Sequence, residues 1–318
     1  MPKKILKMIG KRLVQSVITV FLVTVILFLL MQLVEGNPIV NYLGSSATDE
    51  QIAYYTHLYG YDQPVLVQYW NWVTGLFKGT MGFSISYQKE ISEIIFSRLS
   101  ATLNLVTLAF IVAVLFGVSF GIISALNRGK MIDTVISVIA NIGISMPIFW
   151  VGIILILVFS IKLNVLPPYG FVPMSEGLLP WLRTMIMPVV VCSFSALAQF
   201  TRQTRSSMLE VINQDYVLTA KAKGVGRGAI IVKHQLRNAL IPLITILVNR
   251  FATMIGTTVL IESIFVIPGL GSLMISSITS RDFLVVENCV LIIAIFVTAA
   301  NLLIDILYGF IDPRIRDV

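Results

Sequence analysis

Long apolar runs separated by short polar stretches recur along the chain. Six of them reach or approach the roughly 20 residues that a helix needs to cross the hydrocarbon core of a bilayer: 13–33, 101–125, 134–161, 185–199, 240–261 and 289–310. The fourth is short, holds Pro188, and reaches spanning length only when 181–184 and Phe200 are added. The third is long and holds Pro147, which predicts a tilted or bent helix. The pattern predicts an all-α membrane protein with six spans. Lys3, Lys4, Lys7, Lys11 and Arg12 precede the first run, as they would in a secretory leader. Its apolar stretch is too long for such a leader, and the following LVEGNPIV offers no small-residue cleavage site, so the run reads as a retained anchor.

Two segments between the runs stand out. Residues 35–98 are rich in aromatics, as in YYTHLYGYDQPVLVQYWNWVTGLF. They read either as short helices lying at a membrane interface or as a folded loop capping that face. Residues 202–239 form the one long polar connection in the second half. Val217, Ala220 and Gly224 fall on one helical face, and Gly224, Gly226 and Gly228 then interrupt the pattern before AIIVKHQL resumes it. This predicts helix, glycine turn, helix, held against one membrane face.

Charge supplies the orientation. Only 12% of residues are charged, against about 25% in a soluble domain. If the N-terminus is cytoplasmic, the inside segments hold the first five basic residues, Arg128, Lys130, Arg202, Arg205, Lys221, Lys223, Arg227, Lys233, Arg237, Arg314 and Arg316. The outside segments hold only Lys78, Lys89, Arg98, Lys162, Arg183 and Arg281. The positive-inside bias thus holds at every loop. It accounts for the net charge of +7 without invoking nucleic acid.

Candidate enzymatic chemistry is sparse. No phosphate-binding G-x-x-x-x-G-K-[ST] loop or H-E-x-x-H motif occurs, and the G-x-S-x-G string GVSFG at 117–121 lies inside an apolar run and makes no nucleophile elbow. His57 and His234 are placed on opposite faces and cannot share a metal, and Cys192 and Cys289 fall inside runs as free thiols. What remains is a set of polar residues within spans, which are costly there and often functional. They are Asn141 and Ser145 in the third run, Asn249 and Arg250 in the fifth, and Asn301 and Asp305 in the sixth. Either Arg250 pairs with Asp305 and the amides join helices, or the set lines a polar path. A path needs an energy source, from ions or from a partner docked on the 202–239 segment.

TAKAKG at 219–224 and LRNALIP at 236–242 resemble the cytoplasmic coupling loop of importer permeases of the ATP-binding-cassette class, in the version found in dipeptide, oligopeptide and nickel permeases. Leu218 stands where the broader motif has Glu. Further stretches match in order: GNPIVNYLG, YGYDQPVLVQYWNWV, GTMGFS with Thr80 in place of Asp, SMPIFWVGIIL, LPPYG, IESIFVIPGLGSL, RDF and NLLIDILYGFIDPRIR. The resemblance is to the B-type permease subunit and covers nearly the whole chain. It implies the type I importer permease fold with both termini cytoplasmic and a multi-pass location in a bacterial or archaeal cytoplasmic membrane. The implied organisation is an anchor helix (13–33) with an external segment (35–98), a permease core over 99–310 and a cytoplasmic tail, 311–318. The core would hold helices at about 101–125, 134–161, 181–200, 240–261 and 289–310.

The implied function is movement of di- or oligopeptides, with nickel or another metal chelate as the alternative and an ion-coupled secondary transporter further off. The implied partners are a homologous second permease, two ATPase subunits that carry ATP and Mg, and an extracellular or periplasmic binding protein. The chain itself would be no enzyme and carry no cofactor. By the same resemblance Asp215, Thr219, Ala220, Lys221, Ala222, Gly224 and Arg237 would serve ATPase coupling, and Pro268, Gly269 and Gly271 the external gate region.

Overall fold

The computed structural model describes residues 2–34, 38–44 and 47–311, without the side chains of residues 2–8, 38, 41, 42, 241, 304, 305 and 307–311. The tail 312–318, and with it Arg314 and Arg316, lies outside the described residues, as do Asn37 and the side chain of Asp305.

Helix α1 (Pro2–Gln32) is followed by three short helices, α2 (Pro38–Leu43), α3 (Asp49–Leu58) and α4 (Val65–Phe77). A two-stranded antiparallel hairpin, β1 (Phe83–Ser84) with β2 (Lys89–Glu90), pairs Phe83 with Glu90 and Ser84 with Lys89. It leads into α5 (Ile91–Leu126), α6 (Met131–Ser145) and α7 (Ile148–Leu155), which continues as π-helical turns over Ile156–Lys162. A 3₁₀ turn (Met174–Glu176) precedes α8 (Leu178–Ile212). Next come α9 (Asp215–Ala222) and the single turn α10 (Arg227–Ala229). π-Helical turns over Ile230–Leu236 then enter α11 (Arg237–Phe265), and α12 (Leu270–Thr279) and α13 (Phe283–Ile311) close the chain.

Among the described residues, five helices are long and apolar enough to cross a membrane: α1, α5, α8, α11 and α13. The third expected span is broken. α6 and α7 meet at 108°, so the pair makes a sixth crossing only as a bent unit. Pro147 has no N–H to donate and biases the residue before it toward extended backbone. Met146 (ψ 133°) and Pro147 (ψ 129°) are both extended, so the helix stops and restarts in a new direction.

Helix α8 differs from expectation in the other direction. The weakest predicted span is a 35-residue helix that passes through Pro188 and continues to Ile212, well into the stretch assigned to the connection. Its packing against α5 explains its persistence. Ala109, Ala113, Gly117, Gly121 and Ala125 recur every four residues along α5, and all are buried. A Cβ on Gly117 would lie 2.8 Å from Leu197 O and from Phe200 Cβ. One on Gly121 would lie 2.5 Å from Thr204 Cβ. Small residues at this spacing let two helix backbones approach closely, which is how membrane helices gain packing without a solvent-driven hydrophobic term. Around this seam lies the main core, including Leu105, Met185, Val191, Phe200, Met254 and Phe265.

Helix α1 stands at the edge, with Leu13, Val17, Phe21 and Leu30 exposed as expected of a lipid-facing anchor. It is tied down near its C-terminal end. Thr24 Oγ1 and Tyr69 OH lie 3.0 Å apart, and Phe28 stacks on Trp72 at 6.1 Å and 18°. The aromatic segment is therefore helical, and α4 packs its aromatic face on α1 through Tyr69 and Trp72.

Candidate functional site: the coupling segment and the polar helix faces

The polar connection folds as helix, glycine turn, helix. Asp215 lies in the first turn of α9 and Lys221 in the last, each complementing the helix dipole. The helix closes in a Schellman motif: Gly224 N–H donates to Lys221 O (3.0 Å) and Val225 N–H to Ala220 O (3.2 Å). Gly224 has φ +75°, a conformation that a side chain resists and glycine accepts freely. Val225 completes the motif by packing with Val217, Ala220 and Ile230.

That packing encloses one residue of the segment. Ala220 is buried inside the segment, so its small size closes α9 onto Ile230 instead of facing outward. Asp215, Thr219, Lys221, Ala222, Gly224 and Arg237 are exposed. Beside them on the free side are two residues that sequence reasoning did not select as contacts: Leu218, 52% exposed, and Tyr216, 40% exposed. Asn238 steadies the Tyr216 hydroxyl by donating to it at 3.0 Å.

The segment is held from above by an ion pair that periodicity did not reveal. Arg205, near the end of α8, donates through Nε to Asp133 Oδ1 (2.7 Å) and through its terminal nitrogen to Oδ2 (2.9 Å). This forked geometry suits a planar guanidinium on a carboxylate. Ser124 Oγ (2.5 Å) and Gly129 N (3.0 Å) also donate to Asp133. The turn between α5 and α6 is thereby bolted to α8. Ala125, Met208 and Ala239 pack together at the same level.

The intramembrane polar residues do not form one cluster. Asn141 and Ser145 are exposed on one face of α6, and Asn301 is exposed on α13. Asn249 is exposed on α11, and Thr253 and Gly256 continue its face toward the opposite end. No hydrogen bond joins Asn141, Ser145, Asn249 and Asn301 to one another among the described residues. Arg250 turns to α8, donating to Ser195 Oγ at 2.9 Å, while its Nε is buried with no partner. Its expected pairing with Asp305 falls on a side chain outside the described residues.

The segment expected to serve the gate has an internal structural reason. Glu262, fully buried at the end of α11, accepts hydrogen bonds from Thr102 Oγ1 (2.7 Å), Gly271 N (2.7 Å) and Ser272 N (3.0 Å). Its carboxylate thus caps the N-terminus of α12. Thr102 Oγ1 in turn accepts from Leu270 N at 2.9 Å. A Cβ on Gly269 would collide with the Glu262 carboxyl group, and one on Gly271 would lie 2.5 Å from Val259 Cα. Both glycines are required by close approach. Pro268, half-buried, stands in the reversal after Val266, whose φ of 53° begins the turn.

Residues 117–317 match the family of binding-protein-dependent transport system inner membrane components, and residues 5–106 match the N-terminal region model of such membrane components. The chain belongs to this family. Among its relatives, a peptide transport system permease protein of Brucella abortus (strain 2308) is 37% identical over 97% of this chain and 98% of its own length. A peptide ABC transporter permease protein of Sinorhizobium fredii is 36% identical over 96% of this chain and 98% of its own. The di/tripeptide transport system permease protein DppB of Pseudomonas aeruginosa is 37% identical over 98% and 99%. The permease is thus an all-α, multi-pass protein of the bacterial cytoplasmic membrane.

Two buried contacts, Asp133 with Arg205 and Glu262 with Thr102, escaped the sequence reading because their partners lie 72 and 160 residues apart. A usable signal existed for Glu262: a lone acidic residue at the end of an apolar run, followed by a Pro-Gly-Leu-Gly turn. Among the described residues, no group of three or more His, Cys, Asp or Glu side chains is placed to hold a metal ion.

Proposed function

We propose that this permease is one half of a two-permease pathway that moves di- or oligopeptides into the cell, driven by two ATPase subunits and fed by a binding protein on the opposite face. The relatives' names support the substrate class, since those compared at near-full length are named for peptides. The asymmetry of Lys and Arg makes the face carrying α9 cytoplasmic. The observation that carries the reading is α9 itself. One side of this helix is closed against its own loop by Val217 and Ala220, while Leu218 and Tyr216 are presented to solvent. Two nearby apolar side chains left uncovered on an otherwise polar helix suit docking by a partner. ATP hydrolysis belongs to the docked subunits, because this chain has no phosphate-binding loop.

Arg250 is the group best suited to meet a peptide carboxylate along the path. Its hydrogen bond to Ser195 is the one side-chain contact of the guanidinium among the described residues, and the planar fork suits a carboxylate. The experiment is uptake and co-purification of the assembled complex. Leu218→Glu is expected to leave membrane insertion intact, strip the ATPases from the affinity-purified permease and lower peptide uptake more than tenfold. Retained ATPases with normal uptake would refute the docking role. Arg250→Met is expected to reduce uptake of free-acid peptides more than of amidated ones. Equal loss for both would remove Arg250 from substrate recognition.

A further inference from the structure

A cavity of about 520 Å³ opens on the face opposite α9, between the end of α1, the α3–α4 segment and the first turns of α13. Cavities of this size are in the range that binds small organic ligands. Its walls include the rings of Phe28, Tyr59, Tyr61 and Trp72. The side-chain amides are already committed: Gln68 donates to Gln63 O (2.8 Å) and Tyr61 O (3.3 Å), and Asn71 to Gln63 Oε1 (3.0 Å). They brace the wall and contribute no charge.

Glu287 also lines this cavity. Its side chain is 4% exposed and makes no hydrogen bond or ion pair among the described residues. Among the described residues no lysine or arginine lines the space, and His57 at its edge is engaged by Asp62 at 2.7 Å. The neighbouring Asn288, by contrast, has a structural task, donating to Met81 O at 3.0 Å. A carboxyl group removed from water without a partner is costly, so it is either kept neutral by a proton or matched by a cation. A metal ion would want several oxygen or nitrogen ligands, and Glu287 stands alone. Aromatic rings lining the space beside a single carboxylate are instead surroundings that suit an organic cation.

The geometry points to a binding site for an organic ammonium group in this cavity, with Glu287 as its counter-ion and the Tyr59, Tyr61 and Trp72 rings as its walls. The same chemistry is offered by the amino terminus of a peptide and by the ethanolamine headgroup of an outer-leaflet lipid. The site does not depend on the identity of the transported substrate.

The test uses the full-length permease purified with its co-expressed partners and measures ethanolamine binding by saturation-transfer NMR. Ethanolamine is expected to bind, N-acetylethanolamine, which lacks the charge, is expected not to, and Glu287→Gln is expected to weaken ethanolamine at least tenfold. Competition then assigns the source. Displacement by Ala-Ala but not by N-acetyl-Ala-Ala marks a peptide amine, and loss of binding in phosphatidylethanolamine nanodiscs but not phosphatidylglycerol ones marks the lipid. Competition by neither leaves a free small amine as the ligand. Equal binding of ethanolamine and its acetylated form by the unsubstituted complex, no binding at all, or unchanged binding by an intact Glu287→Gln complex would each overturn the assignment.

Discussion

Removing the Glu262 carboxylate tests whether the reversal between α11 and α12 is held by hydrogen bonding or only by packing. In Glu262→Ala the amides of Gly271 and Ser272 lose the acceptor they share, Oε2, at 2.7 and 3.0 Å. A buried donor left unpaired costs about 1–3 kcal/mol, so the two together cost roughly 2–6 kcal/mol. Thr102 adds less, because a threonine hydroxyl can turn to a carbonyl of its own helix. Glu262→Gln keeps the shape. Its amide oxygen can face the two backbone donors and its NH₂ can face Thr102 Oγ1, so charge-assisted bonds become neutral ones at a loss of about 1 kcal/mol each. Gly271→Ala attacks the same corner sterically, since its Cβ would lie 2.5 Å from the Val259 Cα, and backbone cannot yield as a side chain can. Overpacking of this kind costs about 1–3 kcal/mol. The assay is the fraction of monodisperse permease surviving a temperature series in detergent, followed by size-exclusion chromatography. The expected order of midpoints is unsubstituted, then Glu262→Gln, then Glu262→Ala. An unshifted Glu262→Ala midpoint would refute the cap, and a Glu262→Gln midpoint as low as that of Glu262→Ala would show that the neutral amide cannot serve as the acceptor.

Asp133→Asn should lower the thermal midpoint by the equivalent of about 2–3 kcal/mol, because it weakens a forked, charge-assisted contact with Arg205. Arg205→Lys should fail to restore the fork, and a Lys variant as stable as the unsubstituted permease would contradict this. Gly224→Ala should cost about 1–2 kcal/mol of local stability, since φ is +75° and the penalty for a left-handed side-chain residue is of that size. Gly226→Ala and Gly228→Ala, with open space around each Cβ and no positive φ, should be near neutral in protease sensitivity of the segment. On the opposite face, the hydrogen bond and charge of Asp62 raise the pKa of His57, and His57 lowers that of Asp62. The raised histidine pKa means that its contribution is complete below the ordinary value of about 6.5 and is lost as pH rises through the folded value. An NMR titration should show His57 titrating above the ordinary range, and Asp62→Asn should return it there. An unshifted histidine in the unsubstituted permease would refute the contact.

The apolar runs, the basic loops and the helix–glycine turn–helix pattern of the polar connection are properties of short windows of chain, and each was readable without the fold. A bilayer demands about 20 apolar residues in a row, and Lys and Arg record which side each loop occupies. The closure of α9 was half legible: Val217 and Ala220 share a face by spacing, but only the packing of Ile230 and Val225 decided that this face turns inward. Pro147 announced a bend, and its size came from Met146 and Pro147 both being extended. The length of α8 was concealed because Arg202 and Arg205 look like loop residues. One of them, Arg205, is instead the partner of Asp133. Helix seams such as Gly117 against Leu197, and buried carboxylates such as Glu262 and Glu287, depend on which backbones approach each other across more than 70 residues of chain. Local pattern encodes what each segment needs from its solvent. Pairing of polar groups inside the membrane depends on distances between segments, and only the tertiary structure sets those.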